Sequence, residues 1–213
     1  MLLPTHPYRN RGPAPELRLP AGIAPGLLRA RAHELCGPAR VALALVLLAQ
    51  CDGPVLWIAP SWLPDRPHTC GLTDFLHPGR LVFAHARRHE DLQWCAEEAL
   101  RSGAVPMVLV EMPHPPGLTA VRRLHLAAEA GAETAFHAGS GAAPLCLILC
   151  AGDGGAQGVE SRWHMRPTPA ISSLTEDCGP AWRLERRRAR TAPVAAWAVQ
   201  RSVMGDVTAQ PIA

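Results

Sequence analysis

The chain contains no lysine: all 21 of its basic residues are arginine. Any mechanism that needs a lysine amine is therefore excluded. With 22 prolines and abundant alanine, the bias also reads as that of a high-GC coding sequence. No Cys-x-x-Cys pair occurs among the seven cysteines (36, 51, 70, 95, 146, 150 and 178), so neither a zinc knuckle nor a disulfide framework is indicated. Several sit in apolar runs such as "PLCLILC" and behave as small buried hydrophobes, which suits a reducing cytoplasm. The N-terminus lacks the continuous apolar stretch of a secretory signal, and the aliphatic run "VALALVLLA" is far short of the roughly 18 residues of a membrane span. No HExxH and no G-x-S-x-G is present, and "AGSGAAP" lacks the helix-forming elbow a serine nucleophile needs. His85 and His89 straddle a strand end and loop with no third ligand nearby, and His68 and Cys70 fall in a stretch read as a flexible loop, so no metal site is expected. There is no internal repeat.

At 213 residues and net charge +3, one soluble, cytoplasmic domain with tails is the natural reading. Residues 1–27 hold six prolines and little periodicity, and read as an irregular arm. The pattern then becomes regular. "PARVALALVLLAQ" (38–50) predicts a helix with Pro38 in its first turn, and "PVLWIA" (54–59) predicts a buried strand. A short helical piece is expected near 72–76, a strand at 80–86 and an amphipathic helix at 88–102. A strand at 104–112 follows, then a helix at 117–131 with Thr119 near its N-cap and Gly131 as its stop, then a strand at 133–138. Alternating strands and helices imply right-handed βαβ units and a parallel sheet covered on both faces over residues 28–144. From 145 to 200 the runs read as antiparallel strands added to the sheet edge, and 201–213 as a flexible tail that should fray.

The stretch "HELCGPARVALALVLLAQ" (33–50) has the layout of a phosphate-binding turn opening into a helix. A Walker A loop uses backbone amides to cradle phosphates, lysine to neutralise charge and a hydroxyl to hold magnesium. Counting from Gly37 places Ala42, Leu43 and Ala44 where Gly, Lys and Ser/Thr belong, so the loop is degenerate. Gly37, Pro38 and Arg40 mark a vestigial phosphate-loop region, and Glu111, ending the apolar run "PMVLVE", marks a vestigial Walker B acid. An arginine fork does not reproduce an ammonium point charge, so Arg40 is no substitute for the missing lysine. No catalytic residue and no cofactor follow. The arginines are more suggestive: Arg183, Arg186, Arg187, Arg188 and Arg190 crowd one strand, and Arg122 and Arg123 sit together on a helix. An arginine strand can track phosphates or an acidic partner, although no aromatic is interleaved within this run.

These stretches together resemble the RecA-like core and, within it, the ImuA family of SOS mutagenesis proteins. The resemblance rests on "HELCG" (33–37), "GPVLWIAP" (53–60), residues 76–111, "LTAVRRLHLAAEAGAETAF" (118–136), "ESRWHMRPTPA" (160–170) and "AWRLERRRAR" (181–190). Most specific are the "LTxxRRLxLAAE" helix and the "RWxMxPxP" segment. It spans roughly residues 26–200 and implies an α/β, RecA-like P-loop NTPase core with a degenerate Walker A and antiparallel C-terminal strands. It also implies a DNA-damage-inducible accessory role beside an ImuB-like protein and an error-prone DNA polymerase III α subunit, in translesion synthesis. Contact with RecA itself is a further implication, and contact with DNA would be indirect. The rival expectations are an unconventional ATPase or RecA modulator using Arg40 and Glu111, and a SulA-like division inhibitor. The surface expected to bind partners is the set Arg122, Arg123, Arg183, Arg186, Arg187, Arg188 and Arg190.

Overall fold

The computed structural model describes residues 16–20, 22–63, 67–139, 142–169 and 179–212. β1 (Glu16–Leu17) and β2 (Leu27–Leu28) pair antiparallel as a small ribbon. β3 (Ala32–Cys36) turns into α1 (Arg40–Ala49), followed by β4 (Val55–Pro60), α2 (Thr69–Thr73) and β5 (Leu81–Ala86). Then come α3 (His89–Ser102), β6 (Met107–Met112), α4 (Leu118–His137) and β7 (Leu145–Cys150). β8 (Ser161–Thr168), β9 (Ala181–Ala189), β10 (Ala195–Arg201) and β11 (Val207–Ile212) complete the order.

Among the described residues, nine strands form one sheet in the order β11-β10-β9-β8-β3-β7-β6-β4-β5. Strands β3 to β8 run parallel, and β8 to β11 pair antiparallel. The protein is thus mixed α/β, with a large, mostly parallel sheet, flanking helices and antiparallel C-terminal strands. One face packs on α1, which buries Leu43, Leu45, Leu47 and Leu48 against Trp57, Leu109, Leu147, Trp163 and Trp197. Each such leucine contributes roughly 1.5–3 kcal/mol. The other face packs on α3 and α4 through Leu92, Leu100, Val121, Leu124, Val110 and Ile148. Among the described residues no helix is long and apolar enough to cross a membrane.

Several expectations need correction. The parallel region does not stop at residue 144: β7 is buried at every position and lies parallel between β3 and β6, and β8 is parallel to β3. An unbroken apolar run such as "LCLILC" is what a strand covered on both faces requires. The crossover from β7 to β8 carries no helix, which is why the sequence pattern concealed it. The strand expected at 133–138 is the last part of α4, whose apolar stripe continues through Ala132 and Ala135. Gly131 does not stop that helix. It lies where α4 crosses α3, and a Cβ there would overlap the Leu100 carbonyl. Gly117, not Thr119, occupies the N-cap. Helix α1 begins at Arg40 rather than Pro38, because the Ala39 N–H bonds to the Met165 carbonyl at 3.0 Å.

The chain ends also differ from expectation. The tail expected at 201–213 is structured in part: Arg201 ends β10, and β11 pairs with β10 along six residues. In the N-terminal arm, Leu17, Leu19, Ile23 and Leu27 are buried in the main core, and the Trp197 indole donates to the Gly22 carbonyl at 3.2 Å. Residues 1–15 of that arm lie outside the described residues.

Candidate functional site

In a parallel α/β sheet, ligands bind beyond the carboxyl ends of the strands, where neighbouring connections diverge to opposite faces. The connection from β3 runs through α1 on one face, and α3 and α4 cover the other. The turn at Gly37 stands at that point. Gly37 has φ +90°, and a Cβ there would overlap the Met165 carbonyl oxygen and lie 2.8 Å from His164 Nε2. A phosphate cradle needs free amides, and three in this turn are already taken. The Gly37 N–H donates to the Gly152 carbonyl at 2.8 Å, Ala39 to Met165, and Arg40 to the Gly37 carbonyl at 3.2 Å. Pro38 has no N–H to offer. Arg40 folds back on the turn, its guanidinium 3.4 Å from the Gly37 carbonyl. Glu111, at the end of β6, accepts the Trp57 indole N–H at 2.7 Å and so satisfies a fully buried tryptophan.

Titratable groups crowd the same end of the sheet. Burial, reinforced by the Glu34 carboxylate, pushes the Cys36 thiol up to about 12, which keeps it protonated at neutral pH. Its S–H lies 3.4 Å from the carbonyls of Asp153 and Trp163. His164 is 5% exposed; its Nε2 stands 3.6 Å from the Asp153 carboxylate, and its Nδ1 has no hydrogen-bond partner among the described residues. Burial lowers its pKa, with the Arg187 guanidinium adding to the shift. No group of three His, Cys, Asp or Glu side chains among the described residues could hold a metal ion.

The residues that organise this end were not among those singled out in the sequence. Glu34 is fully buried and accepts from the Gly155 N–H at 2.8 Å, from the Ala156 N–H, and from Arg162 Nε. Arg162 also donates to the Ala156 carbonyl at 2.8 Å. This carboxylate nest fixes the loop that brings Gly152 over the turn. An acid inside the apolar "AHELC" and the glycine-rich "AGDGGAQG" were the visible signals. His33 is a second buried anchor. Its Nδ1 accepts from the Ser161 hydroxyl at 2.7 Å, its Nε2–H donates to the Leu28 carbonyl, and burial lowers its pKa to about 4.

The arginines of interest separate rather than forming one basic stripe. Arg186 is 4% exposed, contrary to its expected place on a binding surface. Its guanidinium lies 5.5 Å from the Trp163 ring centre and 5.2 Å from that of Trp197, and it donates to the carbonyls of Pro193 and Ala24. Arg183 and Arg187 flank Glu185 on the opposite face, and Arg187 also bonds Asp153 at 2.7 Å. Arg188 is exposed opposite Arg162, after a bulge at Arg162/Trp163. Arg190 lies 3.6 Å from Glu160. On α4, Arg123 reaches across to the buried Glu97 of α3 at 2.8 Å, while Arg122 is exposed. The structure brings Arg122 and Arg190 to one groove with Arg31, and places Arg183 and Arg187 elsewhere.

The chain is therefore an α/β protein whose sheet is closed, at the usual ligand-binding point, by its own carbonyls. No protein-family model matches it, and no curated protein does. Among solved structures, SulA from Pseudomonas aeruginosa aligns at 19% identity over 57% of this chain and 98% of that one, with a TM-score of 0.44. That likeness is too slight to bear on fold or function.

Proposed function

We propose that this protein is a non-catalytic RecA-like adaptor in an SOS-induced, error-prone translesion DNA synthesis complex. It would act beside an ImuB-like protein and an error-prone DNA polymerase III α subunit, with RecA as a further partner. The observation that carries the non-catalytic part is the filled turn. The Gly37, Ala39 and Arg40 amides all have protein acceptors, and these 213 residues include no lysine. The adaptor part rests on the sequence resemblance. Its two most specific segments, in α4 and β8, border the same loop: His125 donates to the Gly158 carbonyl, and Arg162 to the Ala156 carbonyl.

The test is reconstitution with the ImuB-like protein and polymerase subunit of the same source. The expected results are co-purification and, on deletion, loss of damage-induced mutagenesis without a change in basal growth. Calorimetry should show no ATP binding. ATP turnover abolished by Glu111→Ala would instead establish the unconventional ATPase. Filamentation on expression without any polymerase partner would establish a division inhibitor.

A further inference from the structure

We infer that the groove between α4 and the end of β9 docks an acidic segment of a partner protein whose carboxylates flank apolar side chains. The inference rests on the adaptor reading and gives it a surface. The groove has a volume of about 350 Å³ and is walled by Arg31, Leu118, Arg122, His125, Leu126, Glu129 and Arg190. Leu118, Arg122 and Leu126 follow one another at four-residue steps, so they share one face of α4. The two leucines are 56% and 59% exposed, a loss of apolar burial that a free monomer gains nothing from.

Charge on the walls is unbalanced. Arg31 bonds Glu129 and lies 3.7 Å from Glu160, and Arg190 shares that same nearly buried Glu160 from 3.6 Å. Arg122 has no ion pair among the described residues, so three guanidiniums face two carboxylates. His125 adds no charge. Its Nδ1 accepts the Ala32 N–H at 3.3 Å and its Nε2–H donates to the Gly158 carbonyl at 3.1 Å, which consumes both ring nitrogens of the neutral tautomer. Nucleic acid fits less well. Among the described residues no Phe, Tyr or Trp lines the groove to stack a base, the His125 ring is tied down at both nitrogens, and phosphates would leave both leucines in water. Carboxylates set among apolar side chains match both features.

A photo-crosslinking amino acid placed at Leu126 in the full chain, expressed in its native host, tests this. The same residue at exposed Phe83 on β5, the far edge of the sheet, serves as the control. Leu126 should cross-link to a protein segment in which Asp or Glu flanks apolar residues. A synthetic peptide of that segment should bind the wild type and weaken roughly tenfold against Arg122→Glu. Reversing the peptide's acids to arginine should restore binding to that variant, whose site is exposed and leaves the fold intact. Cross-linking to nucleic acid, to a segment without acids, or at the Phe83 yield overturns the proposal, as does unchanged affinity of Arg122→Glu. A qualifying segment from a protein outside the replication machinery would keep the groove and overturn the adaptor reading instead.

Discussion

Arg186 and Arg187 are adjacent in β9 and leave the sheet on opposite faces. Arg186 is clamped between Trp163 and Trp197, and its N–H groups reach carbonyls of the N-terminal segment and of the loop before β10. It braces the N-terminal segment, β8 and the loop before β10 against one another. Arg187 leans toward Glu185 and toward Asp153, whose side chain is 84% exposed. The inner face carries Trp163, Met165, Trp182, Leu184 and Trp197 and is sealed by α1 and the N-terminal ribbon. The outer face of the same strands carries His164, Arg183, Glu185 and Arg187. A charged side chain is held inside when acceptors and ring faces meet it there, and its neighbour is solvated when they do not.

The strongest test lies where the outer face stops being a surface, under the 151–158 loop. Glu34→Ala should cost about 3–5 kcal/mol in urea denaturation, because it strands Arg162 and frees two amides. A loss as small as that of an exposed pair would erase the distinction between loop-covered and open regions. Next, Arg186→Ala should lose about 3 kcal/mol through two charge-assisted hydrogen bonds and both ring contacts. Thermal denaturation of Arg187→Ala alongside it should show a loss below about 1 kcal/mol, because exposed ion pairs contribute little. Equal losses in the two variants would break the comparison.

Acid should act on the inner side through His33, whose pKa is depressed from 6.5 to about 4. The unfolded chain takes the proton first as pH falls. The stability this histidine holds is complete above pH 6.5 and declines as pH drops toward 4, by about 3 kcal/mol in all. Denaturation midpoints of His33→Asn across that window should be flatter than those of the wild type. Gly37→Ala should cost about 1–3 kcal/mol, from a positive φ and overlap with the Met165 carbonyl. The positive φ alone would cost part of this, so a stability wholly unchanged would show the turn is not held as described and would reopen the site.

Much of the parallel core was legible because each element carries its own periodicity. The runs at β4, β5 and β6 and the amphipathic α3 fall within a few residues of their expected places. The errors share a cause. Gly131 looked like a helix stop, but a glycine also allows two helices to touch, and only the crossing of α3 and α4 tells which. β7 looked like the start of an antiparallel extension because no helix follows it, whereas pairing direction depends on where the chain crosses over.

The candidate site divides in the same way. By itself the sequence determined that no lysine, no metal-holding hydroxyl and no second glycine stand in the phosphate-loop positions, since residue identity is local information. It also determined the aliphatic character of α1. Only the tertiary structure decided that the Gly152 and Met165 carbonyls fill the turn, that Glu34 anchors the loop above it, and that Arg186 is inside while Arg122 and Arg190 meet at a groove. Those outcomes depend on hydrogen-bond partners more than a hundred residues away along the chain, and on which face of a strand each side chain inherits from its register.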